Sequence, residues 1–488
     1  MESNNISAIP RTEMGKAALL YRKSKYRFHE NCNEVYEVLS LEEITPELLM
    51  DLIRKHHEEQ APRLNELDDY YEVKNPTIYN RKDRESHLAD VRLAHGFARY
   101  ISSFIQGYLV GNPIKVKHQD PKVNEAITLL NKMFKADRLN SDLTLDLSIY
   151  GRAYDMTFRN SRDQDRVVKL DPLKTFVIYG DTVERLPLAG IRYKLNREEQ
   201  YEIEMYTDRS VIYYVQAGDK LIEVKRQAHY FGEVPITEYS NNRFRQGDFE
   251  PVLDQIDAYD AAESDTSNYM TDLNNAMLVI IGNLKLDLTS ASQMKEKNTM
   301  LLIPATDLEG QPIGNVDAKY IYKQYDVAGV EAYKSRLQND IHRFTNTPDI
   351  TDEKFSGSSS GESMKYKLFG LDQVRADKET RMIEGLSRRY RLLFNLKSTA
   401  QELTGVDAND LEFVFTPNIP RAFYEELKAF SEAGGQLSQE TLLTLTALVA
   451  DPLAELEKLK DEKEEANKGF EEDPFDLGVS HGHSDPEE

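Results

Sequence analysis

The stretch YEIEMYTDRSVIYYVQAGDKLIEV, Tyr201–Val224, decides the fold. Apolar and polar residues alternate from Tyr201 to Tyr206, again in part of Ser210–Val215, and again in Leu221–Val224. A period of two places successive side chains on opposite faces of a sheet. The links Thr207-Asp208-Arg209 and Ala217-Gly218-Asp219 carry turn chemistry between the runs. Alternating strands joined by tight turns predict an antiparallel meander, and the two-residue period extends over about 149–239.

Upstream, the period is helical. Thr45 is placed to cap a helix, with Pro46 at its first position and Ile44 stapled to Leu49. Val91, Ala94, Ala98, Ile101, Ile105 and Tyr108 predict a second helix over about 86–109, stopped by Gly111-Asn112-Pro113. A short strand at Ile114-Lys115-Val116 and a third helix after Asp120-Pro121 follow. Together, 36–248 reads as an α+β domain behind a polar arm, 1–35.

Downstream, residues 250–275 predict one polar helix. It holds Glu250, Asp254, Asp257, Asp260, Glu263, Asp265 and Asp272 and neither Lys nor Arg. Glu250, Asp254 and Asp257 share a face at i, i+4, i+7. Two readings stand side by side: a solvated acidic helix, or copies packed around an axis with the acids inward. Residues 276–325 read as a small insertion with strand-like Met277–Leu286 and Asn298–Ile303, and 327–344 as another helix. Asn346–Gly361 is Gly/Ser-rich loop. A long helix spans about 362–404, bent near Gly370 or Gly385, and shorter helices lie near 420–433 and 438–450. Residues 471–488 hold seven acids and no Lys or Arg, a composition that predicts disorder.

Composition narrows the function classes. With 84 acidic and 61 basic residues the net charge is −23, which excludes a generally basic nucleic-acid coat. A single cysteine, Cys32, excludes internal disulfides and Cys-based zinc sites. The longest apolar runs, such as Met277–Ile281, fall far short of the roughly 20 residues a membrane span needs. The polar start lacks a secretion core, so synthesis in a reducing cytoplasm is expected.

The chain lacks a phosphate-binding Gly-x4-Gly-Lys-Ser/Thr loop, a Gly-x-Ser-x-Gly elbow and a His-Glu-x-x-His helix. No catalysis, cofactor or metal is expected. Asp349, Asp352 and Lys354 imitate a metal nuclease signature, but such carboxylates must be pinned on adjacent strands, and these sit beside a Gly/Ser loop. His481 and His483 fall in the acidic tail, and His56-His57 is expected at the surface. On the long helix, Arg388-Arg389-x-Arg391 is expected to pair with a neighbouring subunit, with phosphate contact as the alternative.

Several local patterns resemble one family. Tyr108-x-x-Gly111-x-Pro113-Ile114 closes the second helix, and Ile149-Tyr150-Gly151-Arg152-Ala153-Tyr154 opens the sheet region. Val234-Pro235-Ile236-Thr237-Glu238-Tyr239-Ser240-Asn241-Asn242 precedes Gly247-Asp248-Phe249-Glu250 and Ile256-Asp257-Ala258-Tyr259. In order and spacing they resemble the portal proteins of tailed double-stranded DNA bacteriophages, in the branch typical of siphophages of Gram-positive hosts, over about residues 36–450.

That resemblance implies a homo-oligomeric ring of about twelve subunits at one capsid vertex. Residues 36–248 become a wing, 249–275 and 326–345 the stem, 276–325 a clip, 346–361 a tunnel loop, 362–404 a long helix leading to a crown at 405–460, and 461–488 an acidic tail. Double-stranded DNA would enter, driven by a terminase, and later leave through the channel. Terminase and head-completion or adaptor proteins would dock on the clip, and major capsid and scaffolding proteins would surround the ring. Glu250, Asp254 and Asp257 would line an acidic stem lumen. Thr347, Asp349, Thr351, Asp352, Glu353, Lys354 and Phe355 would face DNA in the tunnel loop. Lys285, Lys295 and Lys297 either dock a partner or keep the clip soluble. The alternative is a virion adaptor without a DNA channel.

Overall fold

The computed structural model describes residues 34–86, 88–272, 277–281, 307–309, 311, 317–321, 326–349, 361–399, 403, 405–418 and short pieces between 438 and 463; for 277–281, 317–321 and 361–366 it gives the backbone alone. Cys32, the three clip lysines, Thr351–Phe355, the helices expected near 420–433 and the acidic tail lie outside these residues. The chain divides into two compact units, one of Met1–Asp349 with Gly370–Phe415, the other of Ile350–Phe369 with Thr416–Glu488.

In the first unit, β1 (Tyr36–Val38) leads to α1 (Pro46–Lys55), whose Thr45 hydroxyl accepts the Leu48 N–H as the sequence predicts. One π-turn at His56–Gln60 joins α1 to α2 (Ala61–Tyr71), followed by a single turn, α3 (Pro76–Tyr79). Then come α4 (Phe97–Val110), β2 (Lys115–Lys117), α5 (Pro121–Phe134) and α6 (Ala136–Tyr150). The sheet region holds β3 (Arg152–Arg159), β4 (Asp165–Leu170), β5 (Thr175–Gly180), β6 (Pro187–Leu195), β7 (Tyr201–Tyr206), β8 (Ser210–Ala217), β9 (Lys220–Ala228) and β10 (Ile236–Ser240). After it run α7 (Leu253–Asp272), the antiparallel pair β11 (Met277–Ile281) and β12 (Asp317–Ile321), α8 (Val327–Phe344), α9 (Gly361–Thr399) and β13 (Glu412–Val414).

The meander is as the alternation requires. Strands β5 to β9 pair antiparallel in sequence order, and β1 adds parallel beside β5. The inward residues Ile191, Ile203, Met205 and Ile212 pack with Leu49, Met50 and Ile53 of α1. A second sheet, β10-β3-β4, meets the first through Tyr154, Val177, Tyr206 and Ile236. Helices α5 and α6 form a third core with Met382, Leu386, Tyr390 and Leu393 of α9.

Two helix readings change. The helix expected from residue 86 starts at Phe97. Residues 89–95, whose Val91 and Ala94 fit a helical spacing, instead run extended along α7, because side chains of that helix take up their backbone N–H groups. Helix α6 extends to Tyr150, so the sheet opens only at Arg152. Its buried face, Ala136, Leu139, Asn140, Leu143, Thr144 and Leu147, includes polar residues, and its last turn, 146–150, is buried all round, which weakens the apolar period.

Candidate functional site

The acidic helix α7 is the centre of the site, and its carboxylates are mostly engaged inside the chain. Glu250, just before α7, forms a two-pronged pair with Arg63: Nε donates to Oε1 at 2.8 Å and Nη2 to Oε2 at 2.6 Å. Both side chains are buried, 1% and 3% exposed, and Gly247 N–H also donates to Glu250 at 2.9 Å. Asp257 accepts the Tyr70 hydroxyl at 2.6 Å. Asp260 accepts Asn75 Nδ2 at 2.7 Å and His95 N–H at 3.0 Å. Burial raises the Asp260 carboxyl above its usual pKa, and the His95 and Asn75 bonds hold that rise back. Glu263 pairs with Lys334 of α8 at 3.1 Å. The acidic-lumen expectation therefore fails for Glu250, which is sealed under Arg63, and Asp257 is tied to Tyr70. Only Asp254 of the three is exposed.

A strap of extended chain, residues 89–95, rides on this helix. Ala89 N–H donates to Asp272 at 2.8 Å, Val91 N–H to Asn268 at 2.6 Å, Leu93 N–H to Ser264 at 2.9 Å, and His95 N–H to Asp260. Asn268 Nδ2 returns a bond to the Val91 carbonyl at 3.2 Å. Alternate strap residues thus meet side chains four apart on one helix face. This ladder was missed in the sequence; the signal was Asp260, Ser264, Asn268 and Asp272 at a spacing of four.

Where α8 ends, the chain turns into the segment expected to face DNA. Asn346 takes a left-handed conformation, φ +54°. Thr347 is buried: its N–H donates to the His342 carbonyl at 3.1 Å and its hydroxyl lies 2.7 Å from that of Thr345. Asp349 accepts Gln338 Nε2 at 2.9 Å, with His342 Nε2 at 4.0 Å. The Tyr100 hydroxyl donates to the Pro348 carbonyl at 2.6 Å. Burial pulls His342 below its usual pKa, against the opposing pull of Asp349. Thr347 so placed points into the protein, which corrects its expected exposure to DNA.

The arginine cluster of α9 is also intrachain. Arg389 is fully buried; its Nε donates to Asp155 at 2.6 Å and Nη1 to Asn140 at 2.7 Å. Its guanidinium lies 5.5 Å from the Tyr239 ring centroid, and Tyr239 OH donates to the same Asp155 oxygen at 2.7 Å. Arg388 and Arg391 both hold Glu233, at 2.7 and 2.8 Å. The expected subunit contact fails for Arg389, which has no surface to offer a neighbour, while Arg388 and Arg391 clamp the turn before β10. His56, expected at the surface, is 1% exposed, bonded through Nδ1 to the Tyr193 hydroxyl at 2.7 Å and stacked on Phe176.

The Glu238–Asp248 motif forms a hub around these contacts. Glu238 accepts Arg245 Nε at 2.7 Å, and Asn241 Nδ2 donates to Asp248 at 2.9 Å. Lys378 of α9 reaches both Asn241 and Asp248, the latter at 2.8 Å. A cavity of about 590 Å³ lies beside α2, lined by residues including His57, Asn65, Glu66, Asp69 and Asn80. Among the described residues no group of three or more His, Cys, Asp or Glu is arranged to hold a metal, and no helix is long and apolar enough to cross a membrane.

The family described as phage portal protein, SPP1 Gp6-like, matches residues 51–469. The portal protein of Bacillus phage SPP1 is 23% identical over 467 residues, covering 89% of this chain and 90% of that protein. The portal protein of Clostridium phage phiCD119 is 23% identical over 463 residues, covering 88% and 98%. Among solved structures, a chain in the neck of a native GTA particle computed with C12 symmetry has a TM-score of 0.42 at 13% identity, covering 79% of this chain and 93% of its own. A chain of the virion of a native gene transfer agent particle has a TM-score of 0.40 at 14% identity, with the same coverage.

Proposed function

The chain belongs to the phage portal protein family, and from that premise we propose that it closes into a ring of about twelve copies at one capsid vertex. Double-stranded DNA passes through the ring during packaging and again at ejection. The observation that carries this reading is the family match from residue 51 to residue 469. Terminase supplies the packaging work and docks on the 276–325 insertion, where head-completion proteins follow it. Lys285, Lys295 and Lys297 contribute cations to that docking. Major capsid and scaffolding proteins contact the ring where it sits in the shell. The subunits are made and assembled in the host cytoplasm, and the ring acts as a conduit rather than as a catalyst.

In this arrangement the pair of helices α7 and α8 leads to the loop that meets DNA. Thr351, Asp352, Glu353, Lys354 and Phe355 face the duplex, with Asp349 at the root. Asp254 is the acid of the original three that supports a repulsive bore, and its exposure supports that assignment. Imaging of the purified protein by electron microscopy tests the reading. Rings with an axial hole at least as wide as a DNA duplex are expected; a protein that stays monomeric at high concentration, or closed particles without a bore, would overturn it.

A further inference from the structure

The five residues from Thr345 to Asp349, just past the end of α8, are held from several directions. Thr345 Oγ1 donates to the Ile341 carbonyl at 2.8 Å and receives the Thr347 hydroxyl. The Thr347 N–H is taken by the His342 carbonyl, and Thr347 Oγ1 lies 3.5 Å from His342 Nδ1. From α4, Tyr100 caps the Pro348 carbonyl and sets its ring edge-on to His342, with centroids 5.4 Å apart. Phe97 approaches the same imidazole at 6.2 Å. Gln338 fixes the Asp349 carboxylate from one turn further back along α8. Gly370 of α9 completes the site: a Cβ there would lie 2.8 Å from Asn346 Oδ1.

We propose that Tyr100, Gln338 and His342 are positioning residues for the DNA-facing loop. They make 345–349 a rigid extension of α8, so that the chain departs toward the duplex from a fixed point and in a fixed direction. A Gly/Ser-rich sequence implies freedom from Asn346 onward, whereas the bonded geometry holds 345–349. Two satisfied buried hydroxyls and a capped carbonyl are costly to undo together, because each group freed without a partner pays a desolvation penalty. The inference rests on the conduit reading for what the loop does, and on the geometry alone for what holds its root.

The test uses the full-length protein and three variants, Tyr100→Phe, Gln338→Met and His342→Ala. Tyr100→Phe removes one hydroxyl and keeps the ring against His342, so it folds even if His342→Ala does not. Hydrogen exchange of a peptide spanning 343–349 reports the root directly. Exchange at least tenfold faster in Tyr100→Phe and Gln338→Met, at unchanged melting temperature and unchanged ring formation, is expected. Exchange equal to that of the unaltered protein would overturn the latch. The same variants, supplied to a phage lacking its own copy of this protein, are expected to lower the yield of DNA-filled particles tenfold or more. Faster exchange with an undiminished yield would overturn the positioning role. Failure of the conduit reading shows separately, as unaltered protein that forms no rings and restores no filled particles.

Discussion

Replacing Arg389 by leucine distinguishes a residue that builds the subunit from one that joins subunits. Its guanidinium and the Asp155 carboxylate are both 0% exposed and 2.6 Å apart. Leucine removes the bonds to Asp155 and Asn140 and the cation from the Tyr239 face, and leaves an ionised carboxylate with the Tyr239 hydroxyl as its remaining side-chain donor. Breaking one side of a buried pair costs about 3–5 kcal/mol, far more than the pair contributes as a whole. Arg389→Leu is therefore expected to lower subunit stability by about that amount. Adding Asp155→Leu removes the stranded charge. The double variant keeps only the losses at Asn140 and Tyr239, about 1–2 kcal/mol each for neutral groups left without partners. The double variant should be no less stable than Arg389→Leu alone, with a coupling of about 2 kcal/mol or more across the cycle. The assay is denaturant unfolding of dissociated subunits, with ring assembly measured in parallel. A single variant within about 1 kcal/mol of the unaltered subunit, with zero coupling and defective rings, would refute the intrachain assignment and restore a subunit contact.

Other perturbations have equally definite outcomes. Asn268→Ala removes both bonds to Val91; the strap should loosen by about 1–3 kcal/mol, seen as faster exchange of the Val91 amide and cleavage within 88–96 by added protease. Gly385→Ala places a Cβ 2.2 Å from the Tyr239 ring and should cost about 1–3 kcal/mol or more through overpacking against β10, measured by denaturant unfolding. Burial and nearby Arg152 hold His56 down to about pKa 3, against 6.5 for the free group. The unfolded chain then binds the extra proton first, so this stabilisation is complete above pH 6.5 and is lost as pH falls toward 3. Between pH 6.5 and 5 the unaltered protein should lose about 2 kcal/mol relative to His56→Phe; parallel pH profiles of the two would refute it. The comparison with the variant matters because Asp146, raised to about 6 by burial, works in the opposite direction.

The sheet was legible because its chemistry is local. Alternation in Tyr201–Tyr206 and turn residues at 207–209 and 217–219 specify strand, face and connection from a few neighbouring residues. The cap of α1 was legible for the same reason: Thr45 bonds a backbone N–H three residues on. Residues 86–96 were illegible because their partner lies about 170 residues away, and helix-compatible spacing of Val91 and Ala94 gave a consistent but wrong period. The arginines of α9 failed differently. A charged triplet on a mixed helix looks like surface, and nothing local reveals that Asp155 and Asn140 wait inside for Arg389.

The acids of α7 show how charge density misleads when partners are remote. Seven acids and no base within 250–275 suggest a helix that must face water or a lumen. Yet the strap advances about 6.6 Å per two extended residues while the helix advances about 6 Å per four, so the two repeats keep step over several rungs. That match lets one face of the helix act as a row of side-chain acceptors for the strap's backbone N–H groups, and Asp260 and Asp272 serve there as hydrogen-bond groups rather than as free charge. Glu250, Asp257 and Glu263 are claimed by Arg63, Tyr70 and Lys334. Of the seven acids, Asp254 and Asp265 are the two exposed ones. Asp265 also has Arg81 at 3.7 Å. A bore lined by this helix would present Asp254 and Asp265 as its most exposed carboxylates. Repulsion of phosphate by so sparse a row is screened within about 8–10 Å at physiological salt.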